Sequence, residues 1–153
     1  SGPYINLSTP DPTGVVVALA PQGATGESLL GLSAVLAPII TSGNTAVILS
    51  HFSQPLSAMS FAEVLATSDV PGGVVNILTG DPSVIMPWMA SHADVNALDL
   101  AGGSGYEALG WEQAAAETLK RVSPPRGGIP APGLGRITAF VEIKTVWHTK
   151  ALG

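Results

Sequence analysis

"TAVILSHFSQPLSA", Thr45–Ala58, runs from a continuous apolar stretch through a short polar turn into a segment with helical spacing. Unbroken Val, Ile, Leu and Ala, rather than apolar-polar alternation, suit a strand covered on both faces, as in a parallel sheet. The same kind of run occurs three more times, as GVVVALA (14–20), GVVNILTG (73–80) and VNALDLAGG (95–103). Helix-competent segments separate them. Residues 28–40 carry apolar side chains at helical spacing, Leu56–Ser68 ends in the turn TSDVPGG, and Asp81-Pro82 supplies an N-cap followed by Pro at the first helical position. Strand and helix therefore alternate, which predicts an α/β fold: a Rossmann-like parallel sheet with helices on both faces and right-handed crossovers.

Beyond a further helical stretch, Tyr106–Arg121, the composition changes. SPPRGGIPAPGLG (123–135) is so rich in Gly and Pro that it reads as an extended linker. RITAFVEIKTVWH (136–148) then alternates, with Ile137, Val141, Ile143 and Trp147 on one phase and Phe140 and Val146 on the other. At about 3.3 Å per residue this strand would reach on the order of 40 Å, and its expected partner lies outside its own domain. The expected organisation is a Rossmann-like domain over 1–122, a linker over 123–135, and an oligomerisation strand with its tail over 136–153.

The chain has 153 residues, 46% of them hydrophobic and only 11% charged, with a net charge of -5. That is one domain's worth of core, and a surface so poor in charge suggests cover by other chains. Six Lys and Arg without a basic stripe argue against nucleic acid. No apolar run approaches membrane-spanning length, and the N-terminus shows no basic-then-apolar leader, so no membrane partner is expected. With no cysteine, the chain reads as cytoplasmic. It opens on Ser1 rather than Met, which leaves earlier residues in the natural chain open.

Candidate chemistry is sparse. LAGGSGYEALG (100–110) follows a strand and opens a helix, the setting of an anion cradle, yet its glycines miss the dinucleotide spacing and no Lys-Ser/Thr follows. PQGATGES (21–28) is a similar Gly-rich turn without a Lys. His51, His92 and His148 are scattered without metal-ligand spacing, so no metal site is expected. Ser50 and His51 are strand neighbours and point to opposite faces, which defeats a nucleophile-base pair. Glu63, Asp94, Asp99, Glu112 and Glu117 show no acid-base pairing, and the three Trp read as packing or interface anchors.

Taken together, the runs resemble the cofactor-binding domain of the aldehyde dehydrogenase superfamily. PTGVVVALAP is similar to its Pro-x-Gly-Val strand, LAPIITSGNTAVILSHFSQPLSA to its Gly-Asn strand and following turn, and DVPGGVVNILTGD to its Gly-x-Pro…Gly-Val-x-Asn stretch. SHADVNALDLAGG stands where the family has its Phe-Thr-Gly-Ser segment, AAAETLKRV resembles the helix before the catalytic domain, and ITAFVEIKTVW resembles the closing oligomerisation strand. More narrowly, the chain looks like the short, non-standard homologues of actinobacteria.

The resemblance implies where NAD would sit, and the residues there depart from the pattern. The family's ribose-holding Lys and Glu fall on Leu49 and Phe52, and its oxyanion-stabilising Asn falls near Gly23. Gly80 and Gly102-Gly103 remain from the nucleotide loops. Past Val122 the family continues into a general-base motif and a domain with a nucleophilic Cys; here SPPRGG follows, and without a thiolate no thiohemiacetal can form on this chain. The expectation is thus a catalytically dead homologue without a cofactor, with cofactor positions left as vestiges. It would serve as a structural or regulatory subunit of a homo-oligomer or of a full-length aldehyde dehydrogenase, with Ile137, Phe140, Val141, Ile143, Val146 and Trp147 as its interface. The alternative is an NAD-linked aldehyde oxidoreductase component whose Cys and Glu come from a partner chain.

Overall fold

The computed structural model describes residues 4–21, 27–51 and 53–149. Five strands, β2 (Val15–Leu19), β3 (Thr45–His51), β4 (Val75–Gly80), β5 (Ala97–Asp99) and β6 (Arg121–Ser123), form one parallel sheet in the order β4-β3-β2-β5-β6. The order reverses at β2, so the crevice between the ends of β2 and β5 is the topological switch point. Helices α1 (Ser28–Thr41) and α2 (Pro55–Ala66) cover one face, and α3 (Pro82–Ser91) and α4 (Gly105–Ala116) cover the other.

The unbroken apolar runs follow from that double cover. On β2, Val16 and Ala18 join Leu32, Val35, Leu36 and Ile39 of α1, while Val17 and Leu19 join Met86 of α3 and Ala108 and Trp111 of α4. Side chains alternate between faces, and both faces are dry. Asp81 caps α3 as the sequence predicts, its carboxylate accepting from the Ser83 N–H at 2.9 Å.

Three expectations are corrected. The helix expected over Tyr106–Arg121 ends at Ala116; Leu119 takes a left-handed φ of 55° and the chain enters β6, a strand too short to show a period. The long C-terminal strand, β7, spans Val141–Thr149 and not 136–148. Ile137 lies instead on a short helix, α5 (Leu134–Thr138), and Phe140 is fully buried beside Leu36, Ile39 and Ala46. Three positions apart, Ile137 and Phe140 fit one helical turn as well as a strand, and Phe140 packs into the core on the α1 side of the sheet.

The third correction concerns pairing. β7 lies antiparallel to β1 (Tyr4–Pro12) of its own chain, from Tyr4 opposite Thr149 to Pro12 opposite Val141. Pro10 and Pro12 mask β1 in the sequence, since Pro is confined to edge strands. The two strands make a ribbon apart from the five-stranded sheet.

Asn44 fastens this ribbon to the domain. Only 3% exposed, it accepts from the Gly14 N–H at 2.7 Å and donates to Ser42 Oγ and to the Phe140 carbonyl, both at 2.8 Å. The same carbonyl accepts from the Thr13 N–H at 3.1 Å. Asn44→Ala strands the Gly14 donor, and we expect a loss of about 2 kcal/mol, read as a lower urea midpoint at unchanged m value.

Candidate functional site

In open α/β sheets, ligands bind outside the carboxyl ends of the strands near the switch point. Here those ends are Leu19-Ala20 of β2, Ser50-His51 of β3, Gly80 of β4 and the Asp99–Gly103 turn after β5. Each can be tested for what it offers a ligand.

The turn after β5 spends its donors internally. Ala101 N–H reaches the Asp99 carboxylate at 3.2 Å, Gly102 N–H the Leu19 carbonyl at 2.9 Å, and Gly103 N–H the Leu100 carbonyl at 2.8 Å. Gly102 is glycine because the β2 backbone is in the way: a Cβ there would lie 2.4 Å from the Ala20 carbonyl oxygen. The N–H groups of Ala101, Gly102 and Gly103 are therefore engaged within the protein and are not free to form an anion cradle.

Gly80 is likewise covered, since a Cβ on it would meet Ile85 Cδ1 of α3 at 2.5 Å. Leu49 is 1% exposed, within the cluster holding Leu19, Met86 and Leu100. A dinucleotide would find no hydrogen-bonding group at that position, and the residue does not fit a ribose-holding role. Gly23 and Phe52, the other two positions implied by the resemblance, lie outside the described residues. Ser50 is 3% exposed, on the α1-α2 side with Ala46 and Ile48, and its hydroxyl has no hydrogen-bond partner.

Among the described residues no group of three His, Asp or Glu is placed to hold a metal ion. His92 accepts from the Asp94 N–H at 3.2 Å and shapes a turn. Trp111 packs in the core at 5% exposure, whereas Trp88 and Trp147 are exposed.

One polar cluster was not legible in the sequence. Asp99, fully buried on β5, is ion-paired with Arg136 of α5, which also donates to Ser123 Oγ of β6 at 3.1 Å; Arg136 Nε is buried without a partner. Burial pushes the Asp99 carboxyl up from its ordinary value, against the opposing pull of the Arg136 hydrogen bond and charge. The cluster clamps α5 across the two strand ends and has no opening to a substrate. Its one signal in the sequence was a lone Arg set among Gly and Leu.

The interface residues expected from the sequence are divided. Ile143, Val146 and Trp147 are exposed on the ribbon and Val141 is half-buried at its base, while Phe140 is in the core and Ile137 on α5. No described helix is long and apolar enough to cross a membrane.

The family model described as "Aldehyde dehydrogenase family" matches residues 2–130. The chain is 31% identical over 124 residues to the cytosolic 10-formyltetrahydrofolate dehydrogenase of Homo sapiens, covering 81% of this chain and 13% of that protein. It is 32% identical over 127 residues to retinal dehydrogenase 2 of Taeniopygia guttata, covering 83% and 24%. Among solved structures, a putative aldehyde dehydrogenase from Burkholderia cenocepacia superposes with a TM-score of 0.72 at 29% identity, covering 80% of this chain and 24% of that one. The NAD+ complex of an aldehyde dehydrogenase from Bacillus cereus superposes at 0.70 with 26% identity and the same coverage. The chain spans about a quarter or less of the relatives it matches.

Proposed function

The chain belongs to the aldehyde dehydrogenase family, and from that premise we propose that it is a non-catalytic subunit whose role is assembly. The observation that carries this reading is the β1-β7 ribbon. It stands apart from the sheet with Tyr4, Ile5, Leu7, Ile143, Val146 and Trp147 all between 43% and 67% exposed. Ile5, Leu7 and Val146 stand on one face of the ribbon and Tyr4, Ile143 and Trp147 on the other; a lone two-stranded sheet is at best marginally stable in water, and exposed apolar groups on both of its faces support a protein interface. A second copy of the chain is the partner we favour over a full-length aldehyde dehydrogenase.

The non-catalytic half of the proposal is supported at the strand ends. Leu49 lies in the core where a ribose would need a polar group, Gly102 and Gly103 spend their N–H groups on their own backbone, and the chain has no thiol. A cytoplasmic setting agrees with a cysteine-free chain and with a relative named as cytosolic.

Light scattering on the size-exclusion eluate is the test of assembly, with calorimetric titration of NAD beside it. We expect a mass of at least twice the 15.5 kDa chain, and no binding of NAD below the millimolar range. A clean monomer sinks the assembly reading; sub-millimolar NAD affinity revives the enzyme.

A further inference from the structure

At the amino ends of the parallel strands, across the sheet from Leu49, Gly80 and Gly102, an open cleft of about 510 Å³ lies between the domain and the base of the ribbon. That volume falls within the range of about 300–1,000 Å³ common to small-molecule sites. Its walls come from segments that meet only in the fold: Thr13 before β2, Asn96 before β5, Thr118 and Leu119 between α4 and β6, Arg121 at the start of β6, and Glu142 on β7.

The hydrogen bonds these walls already make decide what each side chain offers a ligand. Asn96 Oδ1 accepts from the Val15 N–H at 2.8 Å, so the NH2 of the same amide is the group left to donate. Thr118 Oγ1 accepts from Lys120 Nζ at 2.5 Å, which leaves its O–H as a donor. Arg121 pairs through one nitrogen with Glu142 Oε1 at 2.5 Å, and the two side chains are 39% and 52% exposed. The pair thus presents further N–H groups and a second carboxylate oxygen side by side. Thr13 Oγ1 is buried with no hydrogen-bond partner, while its N–H is held by the Phe140 carbonyl. An orphaned hydroxyl on the wall of a cleft is a group that a bound molecule would satisfy. Leu119, 93% exposed, adds one apolar side chain at the mouth.

We propose that this cleft binds a neutral polyhydroxy compound of monosaccharide size. A hydroxyl both donates and accepts, and the walls set donors, on Asn96, Thr118 and Arg121, beside an acceptor on Glu142 and a Thr13 hydroxyl that can do either. The neighbouring guanidinium and carboxylate suit a vicinal diol, one hydroxyl accepting from Arg121 while the next donates to Glu142. The two wall charges offset each other, so an anion would meet Glu142 and a cation would meet Arg121, a repulsion that a neutral ligand avoids. The site lies within one chain and does not depend on the assembly reading above.

Amide NMR of the isotope-labelled full chain, titrated separately with D-glucose, glycine and inorganic phosphate, tests this. With glucose we expect saturable shifts at the amides of Asn96, Thr118, Leu119 and Arg121 and at the Asn96 side-chain NH2, while the amides of Gly80 and Gly102 stay still. Thr13→Val keeps the shape of the side chain and removes its hydroxyl, so it should weaken glucose binding about tenfold, whereas Thr13→Ser should retain most of it. The mapping on the unaltered chain decides even where a variant folds poorly. If glucose moves none of the cleft amides, or moves those of Gly80 and Gly102 instead, the proposal fails. Tighter binding of phosphate or glycine at the same amides overturns the choice of a neutral ligand, and equal glucose affinity in a folded Thr13→Val chain overturns the site as drawn.

Discussion

Arg136→Met should destabilise the fold by about 3–5 kcal/mol, the usual cost of removing one partner from a buried ion pair. The loss comes from what is left behind: Asp99, without exposure, facing an apolar side chain with only the Ala101 N–H to satisfy it. Removing both charges as Asp99→Leu with Arg136→Met should restore most of the stability, because the penalty belongs to the unpaired charge and not to the lost attraction. The pH dependence gives an independent reading. Burial holds the Asp99 carboxyl above its ordinary value of 3.8, so the folded state keeps its proton longer than the unfolded chain does. Its contribution is most favourable below that value and is lost as pH rises toward the folded one. Without the guanidinium the folded value climbs further, so the deficit of Arg136→Met should be smallest near pH 4 and grow toward neutrality. Urea midpoints measured across that range check this; a pH-independent deficit would show that lost packing, not charge, is responsible.

Gly102→Ala should cost about 4 kcal/mol, because the added methyl meets main chain on β2 and breaks the N–H bond that laces β5 to β2. The clash is with the Ala20 carbonyl group at 2.4 to 2.6 Å and the Leu19 carbonyl oxygen at 2.8 Å, none of which can move without disturbing the centre of the sheet. Gly110→Ala is the matched control. That glycine sits within α4 with nothing within 4 Å of a built Cβ, so the substitution should be neutral or stabilise by up to ~1 kcal/mol. Thermal melts of the two variants side by side would separate a steric cause from a general intolerance of glycine replacement.

Four of the five strands of the parallel sheet and its four main helices were legible because their signals are local. Unbroken apolar runs, helical spacing over 28–40 and the Asp81-Pro82 cap each act within a dozen residues. What escaped depends on distant partners. β1 is recognisable as a strand only beside β7, whose Thr145 meets Ser8 across 137 positions of sequence, and its two prolines argue locally against it. Asp99 looked like one more isolated carboxylate until Arg136, 37 positions on, was placed above it. Phe140 has the alternation of its neighbours and is distinguished from them only by its place in the core with α1. At the candidate site, composition already showed that a thiol was missing. That Gly102 and Gly103 serve the backbone instead of a phosphate needed coordinates, since a glycine kept for close packing and one kept for anion binding read alike.

The pairing of the first strand with the last also fixes an order of events during synthesis. The α/β domain is built from neighbouring strand-helix units and can begin to pack while the chain emerges, but the ribbon must wait for Thr149, the partner of Tyr4. Throughout that interval β1 carries Ile5 and Leu7 on an unpaired edge, open to pairing with another nascent chain. The two prolines and Asp11 near its base then act as guards, interrupting any longer cross-chain ladder until β7 arrives.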